Sequence, residues 1–171
     1  MADSTEQGGR DSRQSVTAYM ALRNASEAID FYKRAFGAIE ISRMVNPRDD
    51  KIMHAEIQIG GSRIYLADEC PQFGFVSPLA NGGNTTVSLH LHVQDADEAV
   101  NRAVEAGGTV LMPPTNMFWG DRFGKVADPF GHTWSITQTV EALTPEQLRD
   151  RMEETFSKAT NCGEASATSA G

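Results

Sequence analysis

Two stretches of the chain share one rhythm. Residues 16–38 and 87–109 each open with apolar side chains at every second position, then change to a spacing of three or four. The first period suits a strand and the second an amphipathic helix. Aligned 71 positions apart, Val16 falls on Val87, Thr17 on Ser88, Leu22 on Val93, Asn24 on Asp95, Glu27 on Glu98, and Gly37 on Gly108. Asn24 and Asp95 are N-cap types with a Glu three residues on, so the capping-box spacing occurs twice. Gly37 and the pair Gly107-Gly108 are expected to end the two helices in the left-handed conformation.

Three strand signals follow each helix. In the first half they cover 38–45, 52–59 and 62–68, with Gly60-Gly61 as a hairpin turn. In the second half they cover 109–112, 122–127 and 132–139, with DPFG at 128–131 read as turn chemistry alone. The pattern predicts an α+β domain of two tandem βαβββ modules. One module spans 15–69, a linker 70–85, and the second module 86–142. A helix over 143–158 begins at Thr144-Pro145 and carries Leu148, Met152 and Phe156 four apart, which reads as a docking face. Residues 1–14 and 159–171 are small and polar and read as disordered ends.

Composition narrows the partners. The formal net charge is −8, which disfavours a nucleic-acid partner. No apolar run approaches the length of a membrane span, and the N-terminus lacks a secretory pattern. Two distant cysteines, Cys70 and Cys162, give no disulfide framework and suit the cytoplasm.

Alternation assigns faces within the strands. Val87, Leu89, Leu91 and Val93 form the apolar set of their strand, which leaves Ser88, His90 and His92 on the opposite face. By the same parity Ile64 and Leu66 oppose Arg63, Tyr65 and Ala67. Ala55, Ile57 and Ile59 oppose His54, Glu56 and Gln58, and Trp134 and Ile136 oppose Thr133, Ser135 and Thr137. The stretch 122–127 has no clear parity.

The tandem arrangement, with AIDFYKRAFGA near its start and DPFGHTW near its end, resembles the vicinal oxygen chelate superfamily of glyoxalases, bleomycin-resistance proteins and dioxygenases. IMHAEIQIGGSRIYLADE (52–69) and FWGDRFGKVADPFGHTWSI (118–136) look most like its PhnB-like branch. The resemblance implies that the strands curve into a cup-shaped mixed sheet with helices on the convex face and a ligand on the concave one. It also implies a homodimer. Metal-binding members take one ligand from the first and one from the last strand of each module. The matching positions here are Thr17, Tyr65, Ser88 and Ser135, and none is His or Glu. Neutral hydroxyls are poor ligands for a divalent transition metal.

The sequence therefore points to a protein of glyoxalase/bleomycin-resistance type that binds a small organic ligand in the cup, with no metal and no other cofactor. Ligand contacts are expected from Thr17, Tyr19, His54, Glu56, Tyr65, Ser88, His90, His92, Trp119, Arg122 and Ser135. The alternative is a glyoxalase-like lyase or isomerase with Glu56, Tyr65 or His54 as catalytic candidates. It could carry a metal site outside the family pattern, with His90 and His92 joined by His54 or Glu56. The two histidines sit about 6.6 Å apart on strand geometry, a usable chelating span, although polar cup walls also employ His without metal.

Overall fold

The computed structural model describes residues 16–164. The chain folds into two four-stranded mixed sheets, one per module, with no closed barrel. The first is built from β1 (Ala18–Leu22), β2 (Ile39–Val45), β3 (Ile52–Ile59) and β4 (Ser62–Asp68), ordered β1-β4-β3-β2. The second repeats this with β5 (Ser88–His92), β6 (Thr109–Asn116), β7 (Asp121–Ala127) and β8 (Thr133–Thr139), ordered β5-β8-β7-β6. In each sheet the first strand runs parallel to the last, and the other neighbours are antiparallel. Helices α1 (Ala25–Phe36) and α2 (Ala96–Glu105) link the first and second strands.

The repeat extends to the way each helix is anchored. Asn24 accepts from the Glu27 backbone N–H at 3.2 Å, and Asp95 accepts from that of Glu98 at 2.9 Å. One residue further on, the N–H of Ala25 donates to the Asp68 carboxylate at 2.9 Å, and that of Ala96 donates to the Gln138 amide oxygen at 3.2 Å. Each helix start is thus fastened to the end of its module's last strand, satisfying donors that a helix terminus leaves free. The helix ends differ. Gly37 takes φ +65° as expected, whereas α2 ends on Ala106 in the right-handed conformation, ahead of Gly107 at φ +116°.

The expected strand parity holds. Ala55, Ile57, Leu66, Trp134 and Ile136 are buried, and together with the inner faces of α1 and α2 they form one core. The modules meet on this helix side, where α1 packs against α2. Phe36 lies 4.5 Å and Tyr32 5.3 Å from the Trp134 ring, between centroids.

Asp128 corrects the reading of DPFG as turn chemistry alone. Its carboxylate is buried and accepts from the Tyr32 hydroxyl at 2.7 Å, the Trp134 indole N–H at 3.0 Å, and the backbone N–H groups of Phe130 and His132 at 3.0 and 2.8 Å. Burial, with the Asp128 charge beside it, raises the Tyr32 phenol well above its ordinary value, so it stays a neutral donor. The group ties α1 of one module to the β7–β8 turn of the other. A second tie runs between the His132 Nε2 and the carbonyl of Ala21, 3.2 Å apart.

Other departures from expectation lie at the margins. β6 continues through Pro113-Pro114 to Asn116, because it is an edge strand with register shifts and tolerates prolines there. The linker contains two short 3-10 turns, Pro71–Phe73 and Pro78–Asn81. The last helix, α3 (Pro145–Glu164), runs six residues into the segment expected to be a disordered tail. Its docking face is only loosely covered: Leu148 and Met152 are partly exposed, and Phe156 meets the Phe118 ring at 6.2 Å. The expected disordered end at 1–14 and the last part of the tail, 165–171, lie outside the described residues.

The linker offers a test by pH. The Ser77 hydroxyl donates to Glu69 at 2.6 Å and its backbone N–H does so at 3.1 Å, with Arg23 3.4 Å away. These contacts, the Ser77 hydroxyl foremost, hold the Glu69 carboxyl below its ordinary value. A lowered folded-state value means stability that is present at neutral pH and lost as pH falls through the carboxylate range. The melting-temperature gap between wild type and Ser77→Ala should therefore be widest near neutrality and shrink below about pH 4. A gap that stays constant with pH would assign the effect elsewhere.

Candidate functional site

The polar faces of the two sheets are the surfaces left free by the shared core. On the first, Tyr19 of β1 pairs in register with Tyr65 of β4, and Tyr65 with Glu56 of β3. The Tyr19 hydroxyl lies 3.0 Å from His54 Nδ1, and His54 Nε2 lies 3.8 Å from the Glu56 carboxylate. Glu56 also accepts from Arg63 at 3.0 Å. A continuous polar row, Tyr19–His54–Glu56–Arg63, therefore crosses three strands. The rings of Tyr65 and Phe75 stand edge-on to Tyr19, with centroids 6.0 and 5.1 Å away. Burial raises the Tyr19 phenol, so this hydroxyl is a neutral donor or acceptor and not a phenolate.

The second sheet carries a different set at corresponding places. The Ser88 and Ser135 hydroxyls lie 3.2 Å apart, and Ser88 also reaches the Thr133 carbonyl at 3.3 Å. His90 and His92 stack obliquely with centroids 4.9 Å apart, and His90 lies 6.2 Å from Phe123. Trp119 stands edge-on to Phe123 at 5.9 Å, and Lys125 Nζ lies over the Phe123 ring, 5.8 Å from its centroid. Thr137, on the same face of β8, is fully buried, and its Oγ1 finds no partner among the described residues.

The expected residues thus fall into two groups. Tyr19, His54, Glu56 and Tyr65 gather on the first sheet, and Ser88, His90, His92, Ser135 and Trp119 on the second. Thr17 precedes β1, half-buried. The described hydrogen bonds and ring contacts do not bridge the groups. A 400 Å³ crevice lined by both modules, with Ala18 and Arg63 on one side and His90 and His92 on the other, comes nearest to doing so.

Arg122 does not belong to either group. Gly124 and Val126 of β7 are buried, which supplies the parity the sequence withheld: Arg122 shares their side. Its guanidinium pairs with Asp97 of α2 and donates to Asn116 at 3.0 Å. The guanidinium is thus engaged with α2 and with the end of β6, away from the other expected contact residues. Phe123 and Lys125 take the polar face instead. Phe75 was missed by sequence reasoning because it lies in the linker, where no periodicity points a side chain.

Loop 118–120 owes its course to Gly120, at φ +95°. A Cβ there would collide with the Glu141 carbonyl oxygen, while the Gly120 carbonyl accepts from Val140 and Glu141 at 3.0 and 2.9 Å. Only glycine suits that position, and it sets Trp119 beside Phe123.

A model of the Glyoxalase/Bleomycin resistance protein/Dioxygenase superfamily matches residues 16–136. The chain belongs to this superfamily. An uncharacterized protein of Mycobacterium tuberculosis, Rv0887c, is 39% identical over 140 residues, covering 80% of this chain and 81% of the relative. Among solved structures, the Arabidopsis thaliana gene product At5g48480 is 28% identical and superposes with a TM-score of 0.60 over 72% of this chain and 97% of its own. A PhnB protein from Bacillus cereus, 20% identical, shares the fold with a TM-score of 0.57 over 73% and 99% of the two chains.

The resemblance matches Thr17, Tyr65, Ser88 and Ser135 to the superfamily's metal-ligand positions. Two are hydroxyls bonded to each other, and a third is a phenol set among aromatic rings. Among the described residues, no three of His, Cys, Asp or Glu converge as metal ligands. This donor set does not fit a divalent transition ion. No described helix is long and apolar enough to cross a membrane.

Proposed function

We propose that the protein binds a small organic ligand on the polar, aromatic faces of its sheets, in the manner of the bleomycin-resistance members and without the superfamily's metal. The observation that carries this reading is the Ser88–Ser135 hydroxyl pair at 3.2 Å, standing where the family pattern calls for chelating groups. The faces around it remain chemically furnished, with His, Glu, Tyr and Trp side chains that can hydrogen-bond or stack. Elemental analysis of purified protein, with zinc and nickel titrations, tests the metal-free part. Less than about a tenth of an equivalent of metal is expected, and His90→Ala and His92→Ala should change nothing. Tight stoichiometric zinc lost in either variant would establish a clamp at His90 and His92.

We also infer a homodimer. Support comes from apolar side chains on the outer strands β2 and β6, where Ile39, Met44 and Leu111 are well exposed. The two polar clusters of one chain would then each have a second surface to face. Light scattering at micromolar concentration should give twice the 18.6 kDa chain mass. A monomer mass would overturn the dimer. The acidic net charge argues against nucleic acid, and the unpaired Cys70 suits a reducing cytoplasm.

One observation favours a second reading, a lyase or isomerase. In the Tyr19–His54–Glu56 row an imidazole lies between a phenol 3.0 Å from one ring nitrogen and a carboxylate 3.8 Å from the other, an arrangement that could relay a proton once the carboxylate closes to hydrogen-bond distance. With 2-oxoaldehyde adducts as substrates, turnover abolished by His54→Ala with folding intact would support catalysis. Absence of turnover across that panel leaves binding as the function.

A further inference from the structure

A 560 Å³ cavity opens at the end of the first module, where β4 runs into the linker and the β2–β3 hairpin closes over it. It rests on the small-molecule reading above and narrows it, since it shares Tyr19 and Phe75 with the polar face of that sheet. Its apolar wall is made of Tyr19, Phe75, Phe73 and Met53. Tyr19 and Phe75 brace each other edge-to-face at 5.1 Å, while Phe73 is 82% and Met53 59% exposed, so ring and thioether surface faces the opening uncovered.

The charged groups around this wall are mostly acidic. Asp49, Asp68 and Glu69 line the cavity against a single lining cation, Lys51. Asp68 spends its two oxygens on the backbone N–H groups of Ala25 and Ile52, at 2.9 and 2.7 Å, which fixes it in place without neutralising its charge. Glu69 is offset by Arg23 at 3.4 Å. Asp49 accepts from the Lys51 backbone N–H at 3.3 Å and keeps its charge. Three carboxylates against Lys51 and Arg23 leave the cavity one charge negative, within a chain of net charge −8. Electron-rich ring faces beside a net negative charge attract a cation that also offers apolar surface, by cation–π contact and by long-range attraction together.

We infer that this cavity takes an aromatic organic cation, stacked on Phe73 and Tyr19 with its positive charge toward Asp49 and Asp68. An aromatic anion of the same size would meet the opposite field.

Fluorescence titration of the full chain with three dyes tests this: cationic thioflavin T, anionic 8-anilinonaphthalene-1-sulfonate, and neutral N-phenyl-1-naphthylamine. Thioflavin T should bind tightest at low salt, and its advantage should shrink in half-molar salt as the charges are screened. Phe73→Ala, at an exposed position that folding does not need, should weaken thioflavin T about tenfold. Asp49→Asn should weaken it about threefold, and Lys51→Gln should strengthen it by about as much. Arg102→Ala, on the exposed side of α2 and away from the cavity, should have no effect. Equal or tighter binding of the anionic dye, or weaker thioflavin T binding in Lys51→Gln, would overturn the cation assignment while leaving a small-molecule site in place. Binding lost in Arg102→Ala would move the site away from this cavity. If no dye binds but other ligands stabilise the chain, this inference falls and the broader reading stands. If nothing binds, both fall.

Discussion

Replacing Asp128 with alanine should destabilise the protein by about 3–5 kcal/mol, because four donors lose their shared acceptor inside the core. Two of them, the Tyr32 hydroxyl and the Trp134 indole, come from different modules and are almost wholly buried. At the size of this chain the loss corresponds to a fall in melting temperature of order 10 °C. Tyr32→Phe removes one donor and leaves the carboxylate three, so it should cost only about 1–2 kcal/mol. A double-mutant cycle between Tyr32→Phe and Asp128→Asn should show clear coupling, since the two groups touch. Asp128→Ala within about 1 °C of wild type would mean that the Asp128 network contributes little to holding the modules together.

The second large effect concerns the four positions of the family's metal set. The variant Thr17→His, Tyr65→Glu, Ser88→His, Ser135→Glu supplies two imidazoles and two carboxylates, a donor set that holds zinc or nickel. Ser88 and Ser135 already touch, so their replacements start within chelating reach. Without metal the variant should melt below wild type. The carboxylate that replaces the Tyr65 phenol stands beside Glu56 in the register, and like charges repel. Zinc at about a hundred times its dissociation constant should return about 2.7 kcal/mol by mass action. The measurement is the melting temperature with zinc and with chelator. No zinc response in a folded variant would show that the two modules' positions do not converge.

Much of this was legible in the chain because alternation is a local signal. Where one face of a strand packs against the core, as in β3, β4 and β5, the polar set follows from sequence alone, and His54, Glu56, Tyr65, Ser88, His90 and His92 lie on the opposite face; in β8 both faces are covered, and Ser135 is buried as well. In β7 the glycine at 124 and the charges at 121, 122 and 125 blur the period, so the side taken by Arg122 could not be read from the sequence. Asp128 was underestimated for another reason. Asp before Pro-Phe-Gly is a sufficient turn signal, and nothing nearby shows that Tyr32, 96 residues earlier, will reach it. The loosely covered stripe of α3 is likewise a tertiary fact. A repeat predicts what each module is, but the packing of one against the other is decided by long-range contacts such as Phe36 on Trp134.

Binding of an organic molecule without a metal is tested most directly by the melting temperature of the purified chain in excess chelator. The panel of small organic ligands includes antibiotics and aromatic cations, and it is repeated with zinc or nickel in place of chelator. At about a hundred times the dissociation constant, a ligand of the folded state adds about 2.7 kcal/mol. For a chain of this length that is a rise of roughly 5–10 °C. Such a rise is expected in chelator for at least one organic ligand, with no further gain from metal. A chain stabilised only by zinc or nickel, or by organic ligands solely in their presence, would contradict metal-free binding.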